Sequence, residues 1–289
     1  MKFWQSVTFS EVEQLIDVAR IAEGTGFEGI LVSEHLFYPE KIDSKYPYSP
    51  DGRPPFGPET AWPEVWTAIA AMAAVTERLR FATYVFILPL RDPIEVAKAI
   101  STVAVLSNNR VALGAGAGWM KEEFQILGRD FHNRGQRFDE MIEILRKIWA
   151  GGMVEHHGKF YDFPRLQVSP APTEPVPIYV GGTSDAAFRR AAQLGDGWMS
   201  SGNNPAELPG VVERLQTLRK EAGRDRLPFE TIAALRVPAD IDLVRKLEDQ
   251  GVTAIVNWPF TYTVGPTSTV DEKRRVLEQY GEEIIARCK

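Results

Sequence analysis

Cysteine is almost missing from this chain. The single thiol, Cys288, lies in the C-terminal tail, so no disulfide can form within the chain, thiol catalysis is not expected, and a reducing, cytoplasmic compartment is. Long apolar runs are also missing. The longest extends from about Val65 to Val75, far short of the ~20 residues of a membrane helix. The start, Met1-Lys2-Phe3-Trp4-Gln5, reaches Glu11 and Glu13 before any apolar stretch, which is not the pattern of a secretory signal. Positive charge is in deficit, with 33 Lys and Arg against 39 Asp and Glu and a net charge of -6. Without a basic stripe, nucleic acid is not an expected partner. Histidine is scarce as well. The pair His156-His157 has no third ligand-type residue at a telling spacing, so no metal site is expected.

What is present is ordinary soluble-protein composition, 44% hydrophobic and 25% charged over 289 residues. That length suits one large α/β domain spanning 1–289, because barrels of alternating strands and helices reach about 250 residues without dividing. Strand-like runs at 2–8, 28–33, 79–85, 110–114, 178–180, 197–200, 229–234 and 254–256 alternate with helical periodicity. Ser10 and Glu13 form a capping-box pattern ahead of the first helix. Helices are expected over 63–75, 93–106, 121–128, 136–150, 185–194, 205–221, 241–250 and 270–286. Eight units favour a closed (β/α)8 TIM barrel over an open sheet. Two departures punctuate the repeat. Residues 36–61, rich in Pro, Tyr, Ser, Asp and Gly, read as a long loop after strand 2 that covers the barrel. Residues 153–168 read as a hairpin inserted between helix 4 and strand 5.

Parallel strands of a barrel all end on one face, so polar groups far apart in sequence converge there. Four strand ends carry such groups. Ser33-Glu34-His35 offers an imidazole that titrates near neutrality, with Glu34 or a backbone group setting its tautomer; a histidine packed under the long loop is the plainer alternative. Gly114-Ala115-Gly116-Ala117-Gly118-Trp119 removes side chains where a ligand approaches the backbone, or where strand and helix pack closely. Gly181-Gly182-Thr183-Ser184 places two glycines and two hydroxyls at a helix start, a phosphate site or plain capping. Asp196-Gly197-Trp198 closes the set. Trp4, Tyr84, Phe86, Trp119, Trp198 and Trp258 lie near strand ends and either wall a planar ligand or fill the core. Arg134 and Arg137 are expected to pair with acids of neighbouring helices.

These motifs also occur together in a known order. Leu88-Pro89-Leu90-Arg91-Asp92-Pro93, Leu106-Ser107-Asn108-Asn109-Arg110, the Gly114–Trp119 loop with Glu123-Phe124, and Arg134-Gly135-x-Arg137-x-x-Glu140 resemble the luciferase-like monooxygenase superfamily. So do Pro177-Ile178-Tyr179-Val180-Gly181-Gly182 and Gly195-Asp196-Gly197-Trp198. The likeness runs from about Glu28 to Ser200 and is weak in the last third. It is greatest to the branch using the deazaflavin coenzyme F420. The resemblance implies a strand-end pocket for that coenzyme, hydride transfer to or from a small organic substrate, and a homodimer. It places Glu34 and His35 as catalytic residues, with His35 moving the proton. It assigns Ser33, Gly116, Ala117, Gly118 and Trp119 to the coenzyme, and Gly181, Gly182, Thr183 and Ser184 to its phosphate. It further implies a non-prolyl cis peptide within Tyr84-Val85-Phe86, behind the ring. The sugar-phosphate dehydrogenases of this superfamily carry an acid where Trp119 stands, and no basic cluster for a substrate phosphate stands out. A less polar enone, imine or alcohol is therefore the expected substrate. The alternatives are an FMN-dependent monooxygenase and a non-catalytic flavin-binding protein.

Overall fold

The alternation closes into a barrel. A computed structural model describes residues 1–288. Its barrel strands are β1 (Lys2–Ser6), β2 (Gly29–Val32), β3 (Arg80–Thr83) continued after a break by β4 (Phe86–Ile87), β5 (Val111–Gly116), and then, past the insertion, β8 (Ile178–Gly181), β9 (Gly197–Met199), β10 (Glu230–Ala234) and β11 (Ala254–Asn257). The order round the sheet is β3-β2-β1-β11-β10-β9-β8-β5, and β3 pairs back onto β5 to close it. Every pairing is parallel. The inserted strands β6 (Val154–His157) and β7 (Asp162–Leu166) form a separate antiparallel hairpin. It is tied to the barrel by Glu140, which accepts from the amides of Phe160 and Tyr161 and contacts His156 Nε2.

Period-two alternation builds two cores. Trp4, Leu31, Ala82, Ala112, Tyr179, Met199, Ile232, Ala254 and Val256 fill the barrel interior. Their neighbours Phe3, Ile30, Phe81, Val111, Ile178, Trp198 and Ile255 point outward into the layer shared with the helices. Alanines on three strands leave room for Trp4, Tyr179 and Met199, as a narrow eight-stranded barrel requires.

The surrounding helices are α1 (Leu15–Gly24), α2 (Val65–Ala73), α3 (Pro93–Leu106), α4 (Lys121–Ile126), α5 (Arg134–Trp149), α6 (Asp185–Leu194), α7 (Leu208–Glu221), α8 (Ile241–Asp249) and α9 (Val270–Glu283). None is long and apolar enough to cross a membrane. Both α3 and α6 match the expected limits. Asp92 caps α3 by accepting from the Ile94 amide with Pro93 at its first position, and Ser184 caps α6 by accepting from Ala187.

Two expectations are corrected. The capping box at Ser10 and Glu13 does not form: the Ser10 hydroxyl has no partner, and a 3-10 turn at Val12–Gln14 precedes α1. Glu11 instead takes the ammonium of Lys273 from α9, 2.6 Å away and fully buried. Strand β5 does not stop at Gly114 but runs on through Gly116.

Candidate active site

The strand ends surround one cavity of about 750 Å³, lined by residues at the ends of all the barrel strands and by the loop over 36–61, but Asp196-Gly197-Trp198 does not join it, because Asp196 stands at the start of β9, paired with Arg146 and Arg224. That loop is fastened by α4. Glu122 accepts from the amides of Asp43 and Ser44 at 2.8 and 3.0 Å, and the Lys121 amide donates to Ser44 Oγ at 2.9 Å.

His35 lines the cavity just past β2. Its Nδ1 lies 3.1 Å from Glu123 Oε1, and the same carboxylate oxygen accepts from the Leu36 amide at 3.2 Å. Glu123 is fully buried, and its Oε2 has no partner among the described residues. A buried carboxylate next to one ring nitrogen favours the tautomer with hydrogen on Nδ1. Nε2, which makes no hydrogen bond among the described residues, is then the nitrogen available to a ligand. The ring is packed under the loop as well: Phe56 lies 4.7 Å away between centroids, Trp62 5.4 Å and Trp119 5.8 Å.

Glu34 does not set that tautomer. Its carboxylate accepts from the Ile87 amide at 3.0 Å and pairs with Arg91 at 2.6 Å, joining the end of β2 to the turn after β4. Burial pushes its pKa above the usual carboxylate range, against the opposing pull of Arg91 and the Ile87 amide.

Ser33 donates to the Tyr84 carbonyl at 2.7 Å and shares a 2.6 Å hydrogen bond with Thr8. The Tyr84–Val85 peptide is cis, and it falls between β3 and β4. Tyr84 and Val85 both line the cavity, with the Tyr84 hydroxyl donating to the Ser200 carbonyl. Phe86 does not join them. It is buried in the outer layer against Trp66, 5.8 Å between centroids, with the Arg91 guanidinium 4.2 Å above its ring.

The glycines answer to Val85. A Cβ on Gly116 would come within 2.6 Å of Val85 Cγ2, and one on Gly181 within 2.7 Å of Cγ1. The isopropyl group therefore sits between two strands stripped of side chains, forming an apolar floor to the cavity. Ala117, Gly118 and Trp119 continue along that side.

Gly182, Thr183 and Ser184 lead into α6 from the same cavity, with Gly182 at a φ of 118°. Arg134 lines the cavity here too. Among the described residues it pairs with no acid: Nε donates to the Gly118 carbonyl at 3.1 Å and Nη1 to that of Phe131 at 2.9 Å. Arg137 likewise donates to a carbonyl, that of Pro89, at 2.7 Å. The expected ion pairs of both arginines are thus replaced by backbone bonds. Burial, and then the neighbouring charge of Arg190, hold the pKa of Arg134 below its usual value, while Arg190 is itself paired with Asp139. An unpaired guanidinium beside a helix N-terminus is complementary to an anion.

Of the other aromatics, Trp4 is interior core and Trp198 packs on Phe188, donating to the Gly182 carbonyl at 2.8 Å. Trp258 lines the cavity and donates to the Leu235 carbonyl at 2.8 Å.

The sequence profile described as Luciferase-like monooxygenase matches residues 4–243. The chain belongs to this family. Among luciferase-like relatives, an uncharacterised protein of Mycobacterium tuberculosis is 42% identical over 289 residues, covering 99% of this chain and 100% of its own. An F420-dependent glucose-6-phosphate dehydrogenase of Amycolatopsis mediterranei is 29% identical over 216 residues, 71% of this chain and 60% of that one. The fold is shared with a monooxygenase from Streptomyces bottropensis, at a TM-score of 0.79, 16% identity and 100% coverage of both chains. It is shared also with the coenzyme F420-dependent tetrahydromethanopterin reductase of Methanopyrus kandleri, at 0.76, 17% identity and coverage of 100% and 99%.

Sequence reasoning missed three features of this luciferase-like site. Glu123 was part of a motif without a role, because its partner lies 88 positions away. Arg134 was assigned to ion pairs it does not make. The loop over 36–61 is legible as a cover, but that its rings Tyr46, Tyr48 and Phe56 line the cavity is not.

Proposed function

We propose that this protein is an F420-dependent oxidoreductase that moves a hydride between the deazaflavin and a small organic substrate, with His35 as proton donor or acceptor. The observation that carries the reading is His35 itself: a ring held on one side by a buried carboxylate, with the other nitrogen available in a cavity of strand ends. The F420-dependent relative supports the choice of coenzyme.

The residues present suit that coenzyme. Gly182, Thr183, Ser184 and the unpaired Arg134 would hold its phosphate. Val85, seated between Gly116 and Gly181, would back the flat ring, with Ala117, Gly118 and Trp119 along its edge and Ser33 steadying the Tyr84 carbonyl. Bound there, the deazaflavin supplies or accepts a hydride at a substrate carbon.

His35 Nε2 gives or takes the accompanying proton at the substrate heteroatom, so that, counting the hydride, the substrate changes by two electrons and two protons. Glu123 is a positioning residue. Its charge stabilises the protonated ring, and its hydrogen bond fixes which nitrogen faces the substrate. Glu34 acts on structure, holding the β2 end to Arg91 and Ile87. The long loop lines the site with Tyr46, Tyr48 and Phe56. A His35→Ala protein that binds coenzyme but has lost turnover is the expected result; full turnover would remove the proton role.

A further inference from the structure

The cavity is chemically divided. At the α6 side lie its fixed positive charges, Arg134 and Arg190, and at the end of β10 lies Arg236, exposed and beside Gly202. Strands β8 and β10 are each three positions round the barrel from β2, after which His35 follows, while Arg134 is held at the Gly118 carbonyl just past β5, two positions away. The space around His35 is of another kind. Phe56, Trp62 and Trp119 surround the imidazole, and further rings back them: Phe9 lies 5.4 Å from Trp62 and Tyr46 5.1 Å from Trp119.

Apart from His35 itself, no cation lines this part of the cavity among the described residues. The one carboxylate on the cavity wall, Glu34, is consumed by Arg91 and the Ile87 amide. Glu123 lies behind His35 and is fully buried. The tyrosines stay neutral, since burial pushes Tyr46 up to about 12 and raises Tyr48 as well. Placing a phosphate or carboxylate among these rings strips its water without a compensating partner. A flat conjugated body gains stacking and edge contacts instead.

We propose that the box of Phe56, Trp62, Trp119 and Tyr46 over His35 selects an uncharged, flat ketone or enone, presenting its carbonyl oxygen to the imidazole. This rests on the coenzyme reading above for the chemistry, but the selection is made by the protein's own rings. The consequence is discrimination by charge, not by size.

The test uses matched pairs. Acetophenone is compared with 4-acetylbenzoate, and 2-acetylnaphthalene with its carboxylate analogue, first for binding by calorimetry to the protein with and without oxidised F420, then for turnover with reduced F420. Glucose 6-phosphate serves as a phosphorylated probe. The neutral member of each pair is expected to bind about 100-fold more tightly than the charged one. Phe56→Ala and Trp62→Ala are each expected to weaken the neutral ligand about five-fold, leaving coenzyme affinity unchanged.

Equal or tighter binding of the carboxylates, turnover of glucose 6-phosphate, binding of no pair member, or indifference to both ring deletions would overturn the proposal. The two readings fail separately. A protein that binds the neutral ketones but not F420 would remove the coenzyme assignment and keep the box, whereas one that binds F420 and prefers anions would do the reverse.

Discussion

Replacing Glu123 with glutamine removes one charge and almost no volume from behind His35. The carboxylate stands 3.1 Å from Nδ1, fully buried, so the charge acts at short range with little solvent screening. A hydrogen bond to a charged group contributes about 1.5–3 kcal/mol and a neutral one about 0.5–1.5 kcal/mol. The difference, about 1–1.5 kcal/mol, is the extra hold of the charge on the ring, greatest when the imidazole is cationic, and corresponds to roughly ten-fold in kcat. KM should scarcely change, because Glu123 is screened from the cavity by His35. His35→Ala should cost about 100-fold or more, the usual contribution of a positioned acid or base.

The decisive quantity is the double variant. If Glu123 works only through His35, the His35→Ala, Glu123→Gln protein turns over as slowly as His35→Ala alone. The assay is coenzyme absorbance during turnover of a neutral ketone, with circular dichroism confirming that each variant folds. A wild-type kcat in Glu123→Gln, or a further ten-fold loss in the double variant, would refute the reasoning.

Two further predictions concern stability. Arg91→Ala strands Glu34 in a buried site and should cost about 3 kcal/mol at neutral pH by denaturant unfolding; because burial already raises the Glu34 pKa, the deficit should shrink as pH falls and the carboxyl takes up a proton. An unchanged deficit down to pH 4 would show that Arg91 acts through packing on Phe86 instead. Glu23 accepts from the amides of Glu77, Arg78 and Leu79 at 2.9, 2.6 and 2.9 Å. Desolvation opposes its ionisation, but these three bonds outweigh it and hold the folded pKa below the usual value. Its contribution is therefore complete above the unfolded pKa of about 4.3 and lost as pH falls through the folded one. Glu23→Gln should lower Tm at pH 7 and converge with the parent in strong acid, and parallel curves would contradict this.

The fold was legible because strand and helix periods alternate so regularly, and because caps such as Asp92-Pro93 and Ser184 are local chemistry. What escaped was decided at a distance. Ser10 and Glu13 form no local capping box, and Glu11 between them takes Lys273, 262 residues away. The tautomer of His35 is set by Glu123 from α4 and not by its neighbour Glu34, because the Glu34 carboxylate is taken by Arg91 and the Ile87 amide. Phe86 likewise packs against Trp66, away from the cavity that Val85 lines. Gly116 reads as loop, yet it continues β5, and the space a side chain would fill there is taken by Val85. Composition carries no record of that neighbour.

The central claim is that this strand-end cavity holds a deazaflavin, and a fluorescence titration of the purified protein with F420 and, separately, with FMN tests it most directly. The account predicts saturable binding of F420 in preference to FMN, weakened when Arg134 is replaced by methionine. Preference for FMN would turn the site toward oxygen chemistry, and binding of neither would contradict the assignment.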